Sequence, residues 1–382
     1  MSEYQYYEFQ AIDRPLTDKE MGELRSYSTR ARITPTSFVN DYSWGNFKGN
    51  ADAWMDRYFD AFLYFANWGT HVLKVRLPGR LLDLNTAEEY CAGESTLARQ
   101  KGGKVIVSFD AEDEGGDEWA EDEANLASLI PVRAELARGD LRALYLGWLL
   151  CMQNREIDEQ ELEPPIPPGL GQLSASLESL ARFLRIDDDL LHVAAQASPT
   201  MEDVRPSPEE VRTWAAKLPA AEKNRIIARL VADEDPALGM ELHKRFLEDK
   251  STAAGRSRIP LHRRTVGELL EAAEVCTQER RQIEAKRQAE AQVRREQEAA
   301  IARRKYLDGL AVRESEVWAE VKGLIATTQP TRYNQAVQLL MDLRDLAQRD
   351  GKDRDFGLKL QVLREAHCRK PTLIERLRKA GL

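Results

Sequence analysis

The chain has 382 residues, 42% of them hydrophobic and 31% charged, with a formal net charge of −9. Length and apolar content suit a folded, soluble protein of two or three domains. The most apolar window, residues 141–153, is too short for the roughly 20 residues of a spanning helix. The opening MSEYQYYEFQAIDRPL lacks the basic and apolar regions of a secretory signal, so a cytoplasmic location is expected.

The net charge conceals an asymmetry. Residues 1–200 carry −15, residues 201–250 carry −2 and residues 251–382 carry +8. The two ends could therefore attract each other or different partners.

In YYEFQA, Tyr7, Phe9 and Ala11 alternate onto one side of a strand, and LTDKE opens a helix with Thr17 as N-cap and Glu20 completing a capping box. SFVNDYSW alternates through Phe38, Tyr42 and Trp44. The segment ADAWMDRYFDAFLYFANW reads as one helix stopping at Gly69, with Trp54, Tyr58, Phe62 and Phe65 on a buried face. HVLKVRLP then points Leu73, Val75 and Leu77 inward, and KVIVSF does the same with Val105, Val107 and Phe109. Strand and helix alternate, which predicts a small α+β domain over 1–125. Within it, WGNFKGN at 44–50 sets Trp44 and Phe47 in a glycine-containing loop suited to a small binding surface. The acidic run at 111–123, eight carboxylates around two glycines, is expected to be a solvated loop; a metal site would need fixed geometry and further ligands.

From 126 to 250 the pattern is helical. Asp140 is placed to cap LRALYLGWLLCM, whose apolar residues cover all sides and predict burial. Pro164, Pro165, Pro167 and Pro168 impose an extended connector near 163–169. Leu173, Leu177, Leu180 and Leu184 form one stripe, and Ser207, Pro208 and Glu210 start a capped helix. STAAGRSRIP, residues 251–260, reads as a linker. Beyond it TVGE at 265–268 is a capping box, and the absence of proline before Pro330 allows one charged helix over 264–327. Its middle, residues 278–305, has nine basic and five acidic side chains and only Ile283, Val293 and Ile301 as large apolar ones. Such interleaved signs suit a solvated spacer or loose coiled coil, or a surface that docks a protein, better than phosphate contact, and leave homo-oligomerisation through the helix open. A C-terminal helical module over 328–382 closes the chain, with helices separated by Gly351 and Pro371.

No Gly-x-Gly-x-x-Gly, Walker A, His-Glu-x-x-His or nucleophile-elbow pattern is present. The four cysteines stand far apart, without metal-ligand spacing, and are expected to be reduced and mostly buried. No metal, cofactor or catalytic residue is therefore assigned. Of the five scattered histidines, His71, at a strand start beside Trp68 and Gly69, is the one to test first for activity.

Two segments resemble known families. YNQAVQLLMDLRDLA and RKPTLIERLRKAGL are similar to the helical end of bacterial proteins that carry a SWIM-type zinc finger. The Cys-x-Cys and Cys-x-His signature of that finger is absent, so neither the zinc site nor its nucleic-acid role is implied. YYEFQAIDRPLT, RITPTSF and YFANWGTH resemble a widespread family of uncharacterised bacterial proteins, which implies no activity.

The expectation is an α+β N-terminal domain followed by a mostly helical region with one long charged helix, acting as a non-enzymatic scaffold or adaptor for a protein partner. Candidate partner-binding residues are Trp44, Phe47, Leu339, Leu340, Leu343, Leu373 and Leu377, with Arg376, Arg378 and Lys379 beside them. The alternatives are nucleic-acid association through the basic C-terminal third and an enzyme with an unfamiliar site in the N-terminal domain.

Overall fold

The computed structural model describes residues 4–112, 125–201, 206–232, 235, 237–253, 263–327 and 329–382. The acidic run beyond residue 112 and most of the expected linker at 251–260 lie outside the described residues. The chain forms two compact units, Met1–Glu279 and Arg280–Leu382.

The first unit is built on a seven-stranded antiparallel sheet. In chain order its strands are β1 (Gln5–Gln10), β2 (Arg32–Thr34), β3 (Ser37–Tyr42), β4 (Ala61–Ala66), β5 (Thr70–Pro78), β6 (Thr96–Lys101) and β7 (Lys104–Glu112), with spatial order β2-β3-β1-β4-β5-β7-β6. Helices α1 (Asp18–Tyr27), α2 (Ala51–Arg57) and α3 (Leu84–Glu88) lie between the strands in sequence. The Thr17–Glu20 capping box forms as expected at the start of α1. Gly102 and Gly103, both at positive φ, make the two-residue turn joining β6 to β7, where a side chain would strain the backbone.

One segment departs from the helical reading. Residues 51–68 do not form one helix: α2 ends at Arg57, and Ala61–Ala66 becomes β4, hydrogen-bonded to β1 on one side and to β5 on the other. AFLYFA is a short apolar run that fits either period, and pairing along both edges decides for the strand. Phe62 consequently stacks on Phe9 at 4.3 Å, while Phe65 points to the opposite face and stacks on Tyr6 at 5.0 Å.

Both faces of the sheet are covered in part. On one, Phe9, Phe38 and Phe62 pack with Leu24, Trp54, Met55 and Phe59 from the region of α1 and α2. On the other, Leu63, Leu73, Val75, Val107 and Phe109 share a core with α4 (Leu126–Leu129), α5 (Pro131–Ala137), α6 (Arg142–Gln153), α7 (Ala175–Phe183) and α8 (Asp188–Gln196). No break in the core separates the strands from these helices at residue 125. Helix α6 is buried on all sides, and Asp140 accepts from the Arg142 N–H at 3.1 Å at its start. Helices α9 (Pro208–Lys217), α10 (Ala220–Ala232) and α11 (Leu238–Ala253) follow, and the Ser207–Glu210 box caps α9.

Helix α12 (Val266–Val312) has 47 residues and is about 70 Å long at 1.5 Å per residue. Thr265 and Glu268 exchange capping hydrogen bonds at its start. The expected uninterrupted helix breaks at Arg313, and α13 (Glu314–Ala326) follows. Leu307 and Leu310 before the break, and Val317, Trp318, Val321 and Ile325 after it, all enter one core. That core also holds α14 (Pro330–Arg349), α15 (Asp353–Ala366) and α16 (Pro371–Lys379). No described helix is long and apolar enough to cross a membrane.

Candidate partner-binding face

Strand register brings aromatic side chains together on the sheet face that carries α1 and α2. Phe9, Phe38 and Phe62 stand opposite one another under the helices. Two residues along each strand comes a row of Tyr7, Asn40 and Tyr64, continued through Val72 to Asp110, and a further row pairs Gln5 with Tyr42. The helices cover the first row and leave Tyr7, Tyr42 and Tyr64 half-buried.

These rings are held in place by one another and by one amide. Tyr7 lies 4.7 Å from Tyr64 and 5.7 Å, edge-on, from Tyr42. Its hydroxyl donates to Gln5 Oε1 at 2.7 Å, and the Tyr64 hydroxyl donates to the same oxygen at 3.4 Å. Gln5 Nε2 donates to the Gly45 carbonyl at 3.2 Å and to Asn46 Oδ1 at 3.3 Å, tying the 44–50 loop to the patch. Burial raises the pKa of all three tyrosines, Tyr7 further through its neighbour Tyr64, so the patch offers neutral hydroxyls. Asp110 has its carboxyl raised by burial and then by Glu112.

The loop divides its two aromatics between roles. Phe47 stacks on Tyr7 at 4.8 Å and meets Trp54 edge-on at 4.8 Å, so it serves as the floor of the patch. Gly49 is required there because a Cβ would stand 2.5 Å from Phe47 Cζ and 2.7 Å from Trp54 Cζ2. Trp44 is 71% exposed, with the Arg30 guanidinium over its ring at 5.2 Å. Lys74, on β5 beside Phe62, pairs with Asp52 at 2.7 Å. An aromatic, hydroxyl-bearing surface with one projecting tryptophan has the composition of a protein-interface hot spot and, among the described residues, is not set in the basic groove that stacking sites for single strands combine with their rings.

The C-terminal candidates lie elsewhere. Leu340, Leu343, Leu373 and Leu377 are buried in the second unit's core and Leu339 packs half-buried against it, so these leucines hold the module together and offer no free docking surface. Arg376 donates to the Pro330 carbonyl, Lys379 pairs with Glu375 at 2.8 Å, and Arg378 is exposed. On α12, Arg303 is bound by Asp342 and Asp345 at 2.7 and 2.6 Å.

Two buried polar clusters are knit into the fold. Asp60 accepts from Arg76 Nη2 at 2.8 Å and from the N–H groups of Ile12 and Asp13, while Arg133 pairs with Asp13 at 2.6 Å and donates to the Arg76 carbonyl at 2.7 Å. Arg264 pairs with Glu163 at 2.8 Å, and Glu163 also accepts from the Tyr145 hydroxyl, anchoring the residues just before α12 to the helical layer. His71 is fully buried and meets Phe183 edge-on at 5.7 Å; solvent does not reach it as a catalytic base would require. Cys151 is buried, Cys91 and Cys276 are half-buried and Cys368 is exposed, and none of the four is in a disulfide. No group of His, Cys, Asp and Glu among the described residues has the arrangement of a metal site.

No family model, curated protein or solved structure matches the chain.

Proposed function

We propose that this is a bacterial cytoplasmic scaffold or adaptor, docking a protein partner on the aromatic face of its N-terminal sheet. The observation that carries the reading is the patch of Tyr7, Tyr42 and Tyr64 with Trp44 projecting beside it, held by Gln5. Tyrosine and tryptophan contribute large contact area and a polar tip at low entropy cost, which is why they dominate protein-binding surfaces. Each of the two units has a hydrophobic core of its own, which suits a chain that offers two modules. Ion pairs occupy Arg303, Arg349, Lys359 and Lys379 within the basic C-terminal third, and carboxylates interspersed among its basic residues weigh against phosphate binding there.

The test is affinity purification of the full-length chain at physiological salt, comparing wild type with Trp44→Ala/Tyr42→Ala and with an Arg295→Ala control on the exposed helix. A protein retained by wild type and control but lost from the double variant supports the reading. Nuclease-sensitive retention, or submicromolar binding of the pure protein to DNA or RNA, overturns it.

A further inference from the structure

The middle of α12 is exposed along almost its whole length between 278 and 300. Its few apolar side chains are not randomly placed. Val275, Ile283, Val293 and Ile301 are each about half exposed, at 51%, 53%, 51% and 57%. At 100° per residue, positions 18 apart coincide in direction, so Val275 aligns with Val293 and Ile283 with Ile301. All four fall in a sector about 80° wide. Glu279, Lys286, Glu290 and Gln297 occupy the same sector, with Gln282, Arg294 and Ala300 at its margins.

This seam is symmetric about Gln288. Reversing the helix about that residue sets Val275 level with Ile301, Ile283 with Val293, Glu279 with Gln297, Gln282 with Arg294 and Lys286 with Glu290. Every apolar position meets an apolar one, both charged residues next to the axis meet the opposite sign, and no like charges face each other. A parallel in-register pair would match the apolar positions equally but set Glu279, Lys286, Glu290 and Arg294 each against its own copy, at the cost of like-charge repulsion.

We propose that α12 pairs with the same segment of a second copy of this chain as an antiparallel two-stranded coil, with a two-fold axis at the level of Gln288. An isologous contact of this kind closes on itself and stops at the dimer, as self-complementary surfaces do. The paired length is about 40 Å. Four apolar layers, two on each side of the axis, give a contact of modest strength, and association in the range of about 10 μM is expected. The inference goes beyond the adaptor reading and stands without it, since it uses no residue of the aromatic face.

Sedimentation velocity of the full chain over about 1–100 μM at physiological salt tests it. Wild type should show a concentration-dependent monomer–dimer equilibrium. Lys286→Glu places carboxylates opposite each other at both symmetric positions and should weaken the dimer about tenfold or more, and Lys286→Glu/Glu290→Lys should return it to within about threefold of wild type. Both residues are exposed and both are good helix formers, so the exchange leaves the helix intact. A monomer throughout that range overturns the proposal. A dimer indifferent to Lys286→Glu does so too, as does one that the double exchange fails to restore, because its contact would lie elsewhere or in another register.

Discussion

Replacing Asp60 by Asn removes one charge from the most buried ion pair of the first unit and should destabilise it severely. Asp60 is 1% exposed and accepts four hydrogen bonds: from Arg76 Nη2 at 2.8 Å and Nε at 3.1 Å, and from the N–H groups of Ile12 at 2.8 Å and Asp13 at 2.9 Å. Burial alone would raise its pKa, and the Arg76 guanidinium with the two N–H groups overcomes that and holds it below the usual carboxylate value. Asparagine can keep one or two of these acceptor contacts but leaves Arg76, 5% exposed, without its counter-charge. Stranding a buried charge costs about 3–5 kcal/mol, the same size as losing two charge-assisted hydrogen bonds at about 1.5–3 kcal/mol each. Urea unfolding followed by circular dichroism reads the loss as a lowered midpoint. Removing the stranded cation as well, in Asp60→Asn/Arg76→Met, should recover part of it. A single variant within about 1 kcal/mol of wild type would refute the reasoning, since Arg76 would then be satisfied by the Met55 and Asp56 carbonyls alone.

Leu377→Ala should cost about 2–5 kcal/mol in the second unit, because Leu377 is fully buried; hydrogen exchange should quicken across α13–α16 while β4, β5 and β7 stay protected. His71 gives a pH dependence with a definite sign. Burial, helped by Arg185, lowers its pKa from 6.5 to about 4, so between those values the unfolded chain takes up a proton that the native chain excludes. Stability of the first unit should therefore fall as pH drops from about 6.5 to 4, by up to about 3 kcal/mol, and His71→Leu should remove that part of the slope; equal slopes in the two proteins would contradict it. Gly49→Ala should displace Phe47 and cost about 1–3 kcal/mol, measurable as a lower Tm, whereas Trp44→Ala should leave Tm within about 2 °C of wild type.

Local signals in the sequence carried over well where the deciding interactions are local. The capping boxes at Thr17, Ser207 and Thr265 form between residues three apart, and the all-round apolar pattern of α6 corresponds to complete burial. Residues 61–66 were not legible, because β4 exists through long-range pairing with β1 and β5 that no window of the sequence contains. Half of the candidate face shared that fate. The composition of the 44–50 loop points to Trp44 and Phe47, whereas the approach of Tyr64 to Tyr7 depends on the register of β1 with β4. The C-terminal leucines illustrate the converse: an amphipathic stripe reads the same whether it binds a partner or the helices of its own module, and here Leu340, Leu343, Leu373 and Leu377 have each other.

The adaptor reading is tested most directly by a photo-reactive phenylalanine analogue in place of Tyr42, in the full-length chain expressed in its own host. Tyr42 sits at the rim of the patch, with its ring 5.7 Å from that of Tyr7. Irradiation should join the chain to one discrete protein, and the adduct should disappear when Trp44 is also changed to alanine while an equivalent probe on the exposed part of α12 does not give it. Cross-linking to nucleic acid alone, or the same protein captured equally from both positions, would contradict the account.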